Sequence, residues 1–72
     1  MNILIFKTNI NTQKKLATVE KSFIKIPGIN RWTVDMEDID KVLRIEAHSE
    51  VIEANIIDLL QEINVYCQNL KK

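Results

Sequence analysis

The period of the hydrophobic positions changes several times along the chain, and each change marks an element. From about Asn2 to Lys7 the apolar residues are nearly continuous, a run too short before the polar Thr8-Asn9-Ile10-Asn11 segment for a helix. This predicts a buried central strand with Ile3 and Ile5 on one side and Leu4 and Phe6 on the other. From about Thr12 to Lys25 the residues Leu16, Val19, Phe23 and Ile26 recur at steps of three and four, the stripe of an amphipathic helix. Asn11 or Thr12 can cap it, and Lys14, Lys15, Glu20, Lys21 and Lys25 fall mainly off the stripe. Pro27-Gly28 then ends the helix, since proline disfavours helical geometry at Ile26 and glycine takes the turn.

Alternation returns from about Asn30 to Met36, which sends Trp32, Val34 and Met36 to the core and Arg31, Thr33 and Asp35 outward. Glu37 to Asp40 reads as a polar connection. A third strand from about Lys41 to Ala47 places Leu43, Ile45 and Ala47 on one face and Val42, Arg44 and Glu46 on the other. Ser49 is the expected cap of a second helix, with Glu50 and Glu53 in its first turn and Ile52, Ile56, Leu59, Leu60 and Ile63 as its buried stripe. Asn64 suits a left-handed cap, and Val65 to Gln68 can form a last strand before a polar end at Lys71 and Lys72.

The order β-α-β-β-α-β predicts an α+β, ferredoxin-like fold, a four-stranded antiparallel sheet with two helices on one face, as a single domain over residues 1–72. A first strand apolar on both sides needs cover on both. The expectation is that Leu4, Phe6 and Val42 lie on the face the helices leave open, as an interaction surface for a protein partner or a second copy of the chain.

Composition narrows the function. Ten basic and ten acidic residues leave no net charge, so there is no field to draw nucleic acid or an anionic membrane surface. No stretch approaches the roughly 20 apolar residues of a membrane span, and the N-terminal run lacks the basic region and cleavage site of a signal peptide. Cys67 is the only cysteine, which excludes a disulfide within one chain and suits a reducing, cytoplasmic setting. The single glycine is used at a turn, so no phosphate-cradling loop is available. Cys67 and His48 are the only thiol and imidazole, and no spacing argument joins them. The expectation is therefore a protein that is not an enzyme. Asp35, Glu37, Asp38 and Asp40 read as a solvated acidic turn, lacking the glycine and distal glutamate of an EF-hand.

Val19-Glu20, Phe23, Pro27-Gly28-Ile29 and Val34-Asp35 follow a spacing that resembles the heavy-metal-associated domain, whose first helix ends in V-E-x-x-L-x-x-x-P-G-V before a strand with V-D. Leu43-Arg44-Ile45 resembles that family's third strand, and Ile63-Asn64-Val65 its terminal A-G-Y. The resemblance implies a domain that carries copper, zinc or related soft cations through an M-x-C-x-x-C loop. Counted back from Val19, Ile10 stands at the methionine, Thr12 at the first cysteine and Lys15 at the second. A hydroxyl and an ammonium do not replace thiolates around a soft cation. The leading expectation is thus a module whose family loop is degenerate, with no cofactor, acting through protein interaction or self-association. The alternative is a copper or zinc carrier using other ligands, Cys67 and His48 with Met36 as a third. Each of these three also has a plainer role: His48 as an exposed loop residue, Cys67 as a small apolar residue or edge thiol, and Met36 as core filler.

Overall fold

A computed structural model describes residues 2–70; the expected polar end at Lys71 and Lys72 lies outside the described residues. The elements are β1 (Asn2–Thr8), α1 (Gln13–Ile24), β2 (Ile29–Val34), β3 (Leu43–Ala47), α2 (Glu53–Glu62) and β4 (Cys67–Asn69). They form a four-stranded sheet in the order β2-β3-β1-β4, and every neighbouring pair is antiparallel. This is the ferredoxin-like arrangement that the periodicity predicts.

Register decides which residues the helices cover. Leu4 stands opposite Ile45 and Phe6 opposite Leu43, while Trp32 and Val34 meet the same two β3 residues from the other side. Directly opposed residues share a sheet face, so these side chains form one apolar layer. Val19 and Phe23 of α1 and Ile56 and Leu60 of α2 are buried with that layer. The ring of Phe23 meets Trp32 edge to face, with centroids 5.1 Å apart and planes at 88°, a geometry that adds about 0.5–1.5 kcal/mol to the area buried.

The expected interaction surface is corrected by this register. Leu4 and Phe6 are 4% and 0% exposed and lie beneath the helices. Ile3, at 44% exposure, and Ile5 hold the open face in their place. Val42 is half-buried in the connection before β3. Both sides of β1 are apolar, so alternation sorted its residues into two sets without saying which set the helices would cover.

Helix ends follow local chemistry. Thr12 caps α1, its Oγ1 accepting from the Lys15 N–H at 3.1 Å. Ser49 does not cap α2. The helix begins later, after Ile52, whose N–H donates to Asn55 Oδ1 at 2.8 Å. Asn64 takes the left-handed conformation, φ 59°, at the end of α2. There the Val65 N–H donates to the Leu60 carbonyl at 2.9 Å and the Asn64 N–H to the Gln61 carbonyl at 3.1 Å, the pairing that satisfies orphaned helix carbonyls.

The connection between β2 and β3 is longer than expected, because its carboxylates hold turns. Asp35 Oδ1 accepts from the Glu37 N–H and Asp38 Oδ1 from the Asp40 N–H. Lys41, at φ 46°, closes the segment. Met36 packs against the core as a partly buried residue.

Candidate functional site

The loop between β1 and α1, where the resemblance implies a metal, has its side chains already engaged. Ile10 is fully buried in the core. Its N–H donates to Thr8 Oγ1 at 3.2 Å, and that hydroxyl in turn donates to the Lys41 carbonyl at 2.6 Å. The Thr12 hydroxyl caps α1. Lys15 folds back over the loop, its Nζ donating to the Asn9 carbonyl at 3.2 Å. Asn9 is also tied to the segment after α2: its Oδ1 accepts from the Tyr66 N–H at 3.0 Å and its own N–H donates to the Tyr66 carbonyl at 3.3 Å.

These residues do not fit a cation. Ile10 carries no donor atom, Thr12 offers a neutral oxygen already accepting a hydrogen bond, and Lys15 brings positive charge to the loop. Among the described residues, no group of three or more His, Cys, Asp and Glu side chains is arranged to hold a metal ion.

The alternative ligands are not brought together either. His48 follows Ala47, which pairs with Asn2 at the start of β1, whereas Cys67 pairs with Thr8 at its end. Six strand steps of roughly 3.3 Å separate the two places by about 20 Å. Met36 lies beyond the end of β2, with β3 and β1 standing between it and β4. The strands nearest to Met36 and Cys67, β2 and β4, are the two outer strands of the sheet. The separation of His48 from Cys67 along β1 leaves the thiol and imidazole unassembled as a catalytic pair.

Cys67 is half-buried and free. It shares a face with Thr8, at the strand end from which the loop leaves. Burial pushes its thiol above the ordinary value, because the thiolate would lose hydration. His48 is exposed, with its backbone N–H on the Gly28 carbonyl at 2.7 Å.

A groove that the sequence reading did not anticipate lies along α2, near the end of the molecule away from this loop. It encloses about 640 Å³ and is lined by Ile26, Pro27, Val51 and Leu59, with the carboxylates Glu50, Asp58 and Glu62 also lining it. No periodicity signals it, because it depends on how the C-terminal end of α1 stands beside α2. Among the described residues, no helix is long and apolar enough to cross a membrane.

No protein-family model matches the chain, and no curated protein matches it. Solved structures do. The yeast copper transporter domain Ccc2a, determined in apo and Cu(I)-loaded states, matches with a TM-score of 0.82 at 11% identity, over 99% of this chain and 97% of that chain. The Atx1-Cu(I)-Ccc2a complex in solution gives a TM-score of 0.82 at 12% identity, over 99% and 97%. A structure from work on crosstalk between Cu(I) and Zn(II) homeostasis gives 0.80 at 13% identity, over 97% and 100%. At these identities the likeness shows the fold, and that fold is the one seen in copper-handling domains. The expectation of no cofactor is corrected by these neighbours, since the yeast domain of this fold takes up Cu(I).

Proposed function

We propose that this chain is a module of transition-metal trafficking in which Cu(I) or Zn(II) is cargo shared with a partner, Cys67 giving one ligand and the partner's thiolates the rest. The carrying observation is the match in fold, over nearly the whole chain, to a copper transporter domain known both with Cu(I) and in complex with a second protein. The position of Cys67 beside the loop end of β1 supports the same reading. Thr12 and Lys15 stand where the resemblance implies thiols, so the loop is read as degenerate and the ion as held between proteins instead of enclosed by one. A soft cation prefers thiolates, and a chain with one thiol supplies half of a two-coordinate site.

Anaerobic titration of the reduced protein with Cu(I), against a chromophoric chelator, tests this. The expected uptake is about one Cu(I) for every two chains, two Cys67 thiolates completing the site in the absence of a partner. It should be lost in Cys67→Ser. No uptake, or uptake unchanged in Cys67→Ser, refutes the proposal.

A further inference from the structure

The last rung between β1 and β4 is made in an unusual way. Phe6 pairs with Asn69, Lys7 with Gln68 and Thr8 with Cys67, so the next pair in this register is Asn9 with Tyr66. At every second pair of an antiparallel ladder the opposed residues exchange two backbone hydrogen bonds. Asn9 and Tyr66 make one of the two, the Asn9 N–H donating to the Tyr66 carbonyl at 3.3 Å. A side chain makes the other: Asn9 Oδ1, and not the Asn9 carbonyl, accepts from the Tyr66 N–H at 3.0 Å. The carbonyl is thereby released from the ladder, and the Lys15 ammonium donates to it at 3.2 Å.

This rung closes a strand that has little else to hold it. Strand β4 is three residues long and lies at the margin of the sheet, with β1 as its one neighbour there. Its far end is tied by the Leu70 N–H, which donates to the Ile5 carbonyl at 2.9 Å. Its near end starts at Cys67, and Tyr66 is the residue before it. A hydrogen bond that fixes the Tyr66 backbone therefore fixes where the thiol stands relative to the loop between β1 and α1. Asparagine suits this post, because a short side chain with an acceptor oxygen reaches the N–H that the turned-away carbonyl has left.

We infer that Asn9 and Lys15 are positioning residues for Cys67: Lys15 draws the Asn9 carbonyl out of the ladder, and the Asn9 side chain takes over the Tyr66 N–H and holds the start of β4 closed beside the loop. This deepens the proposed function and rests on it only in taking Cys67 as a ligand of the shared ion; the device itself needs no metal. It also gives the amine at position 15 a task other than the coordination that the resemblance implies there.

Two rates measured in buffer containing a metal chelator test the inference: hydrogen exchange at the Tyr66 amide, followed by NMR, and alkylation of Cys67 by iodoacetamide. In Asn9→Ala the Tyr66 N–H loses its acceptor, and both rates should rise about twofold to tenfold. Asn9→Asp keeps the acceptor oxygen and should behave as the parent. In Asn9→Ala/Lys15→Met the ammonium is gone as well, so the backbone carbonyl is free to turn back to the Tyr66 N–H, and both rates should fall again toward the parental values. Ile56→Val removes a methyl group from the core and shows what a general loss of stability does; it should leave both rates at the parental level. Unchanged rates in Asn9→Ala overturn the inference, as do an equal rise in Ile56→Val, an Asn9→Asp chain as reactive as Asn9→Ala, or a double variant no slower than Asn9→Ala. None of these readings uses metal, so their failure leaves the Cu(I) titration standing, and a chain that takes up no Cu(I) leaves them standing in turn.

Discussion

Replacing Gly28 by alanine should destabilise the fold, and the sign should reverse when Val51 is shortened. A Cβ at position 28 would sit 2.5 Å from Val51 Cγ2, with His48 Cβ at 3.6 Å and Val51 Cβ at 3.9 Å. Carbon atoms pack best at about 3.5–4.0 Å, so one contact must open by roughly 1 Å. Val51 has little room to give way: it is buried, its N–H donates to the His48 carbonyl at 2.9 Å, and its carbonyl accepts from Asn2 Nδ2 at 3.0 Å. Overpacking of this kind costs about 1–3 kcal/mol. Opposing it is the stiffer unfolded chain, worth about 0.4–1 kcal/mol, which applies because Gly28 does not need a positive φ. The clash is the larger effect, and Gly28→Ala should lose about 0.5–2 kcal/mol net. In a Val51→Ala background the Cγ2 is gone and only the entropic gain remains, so the same substitution should stabilise by a few tenths to about 1 kcal/mol. Urea denaturation followed by circular dichroism reads all four corners of the cycle, with an unchanged m-value showing that the same transition is compared. Additive effects, or a Gly28→Ala protein as stable as the parent, would refute the packing argument.

Thr12→Ala removes the α1 cap and should cost about 0.5–2 kcal/mol in urea denaturation, without changing Cu(I) uptake. Thr12→Cys/Lys15→Cys places two thiols on the β1–α1 loop and should bind about one Cu(I) per chain; an uptake equal to that of the parent would show that side-chain identity is not what limits the loop. Burial pushes the Cys67 thiol above its ordinary value of 9.0. Its contribution to stability is complete below the unfolded-state value and is lost as pH rises through the folded-state value. Parent stability should therefore fall across that alkaline window relative to Cys67→Ser, and parallel profiles would refute it.

Much of the architecture was legible in the sequence because each element carries its own period. Val19 and Phe23 on α1, and Leu43, Ile45 and Ala47 on β3, are buried as their spacing predicts. The face of β1 was not legible. Ile3, Leu4, Ile5 and Phe6 are equally apolar, and only pairing with β3 assigns Leu4 and Phe6 to the helices. Ser49 looked like a cap, yet Asn55 supplies the hydrogen bond from within the first turn of α2, a role that composition alone does not distinguish. The residues of the β1–α1 loop could be named from the resemblance, but the Lys15 contact with Asn9 could not, since a flexible side chain chooses its acceptor only in three dimensions. The separation of His48 from Cys67 likewise follows from strand order, which a linear pattern does not contain.

The two margins of the sheet are both poor templates for another strand. In β2, Ile29 stands opposite Ala47 and Arg31 opposite Glu46, so Asn30 is an extra residue that bends the outer strand. At the other margin β4 offers only Cys67–Asn69. A bent rim and a stubby one discourage the chain from stacking into fibrils when it is concentrated. Contact with other molecules is thereby left to helices, grooves and loop ends, where it can be broken again.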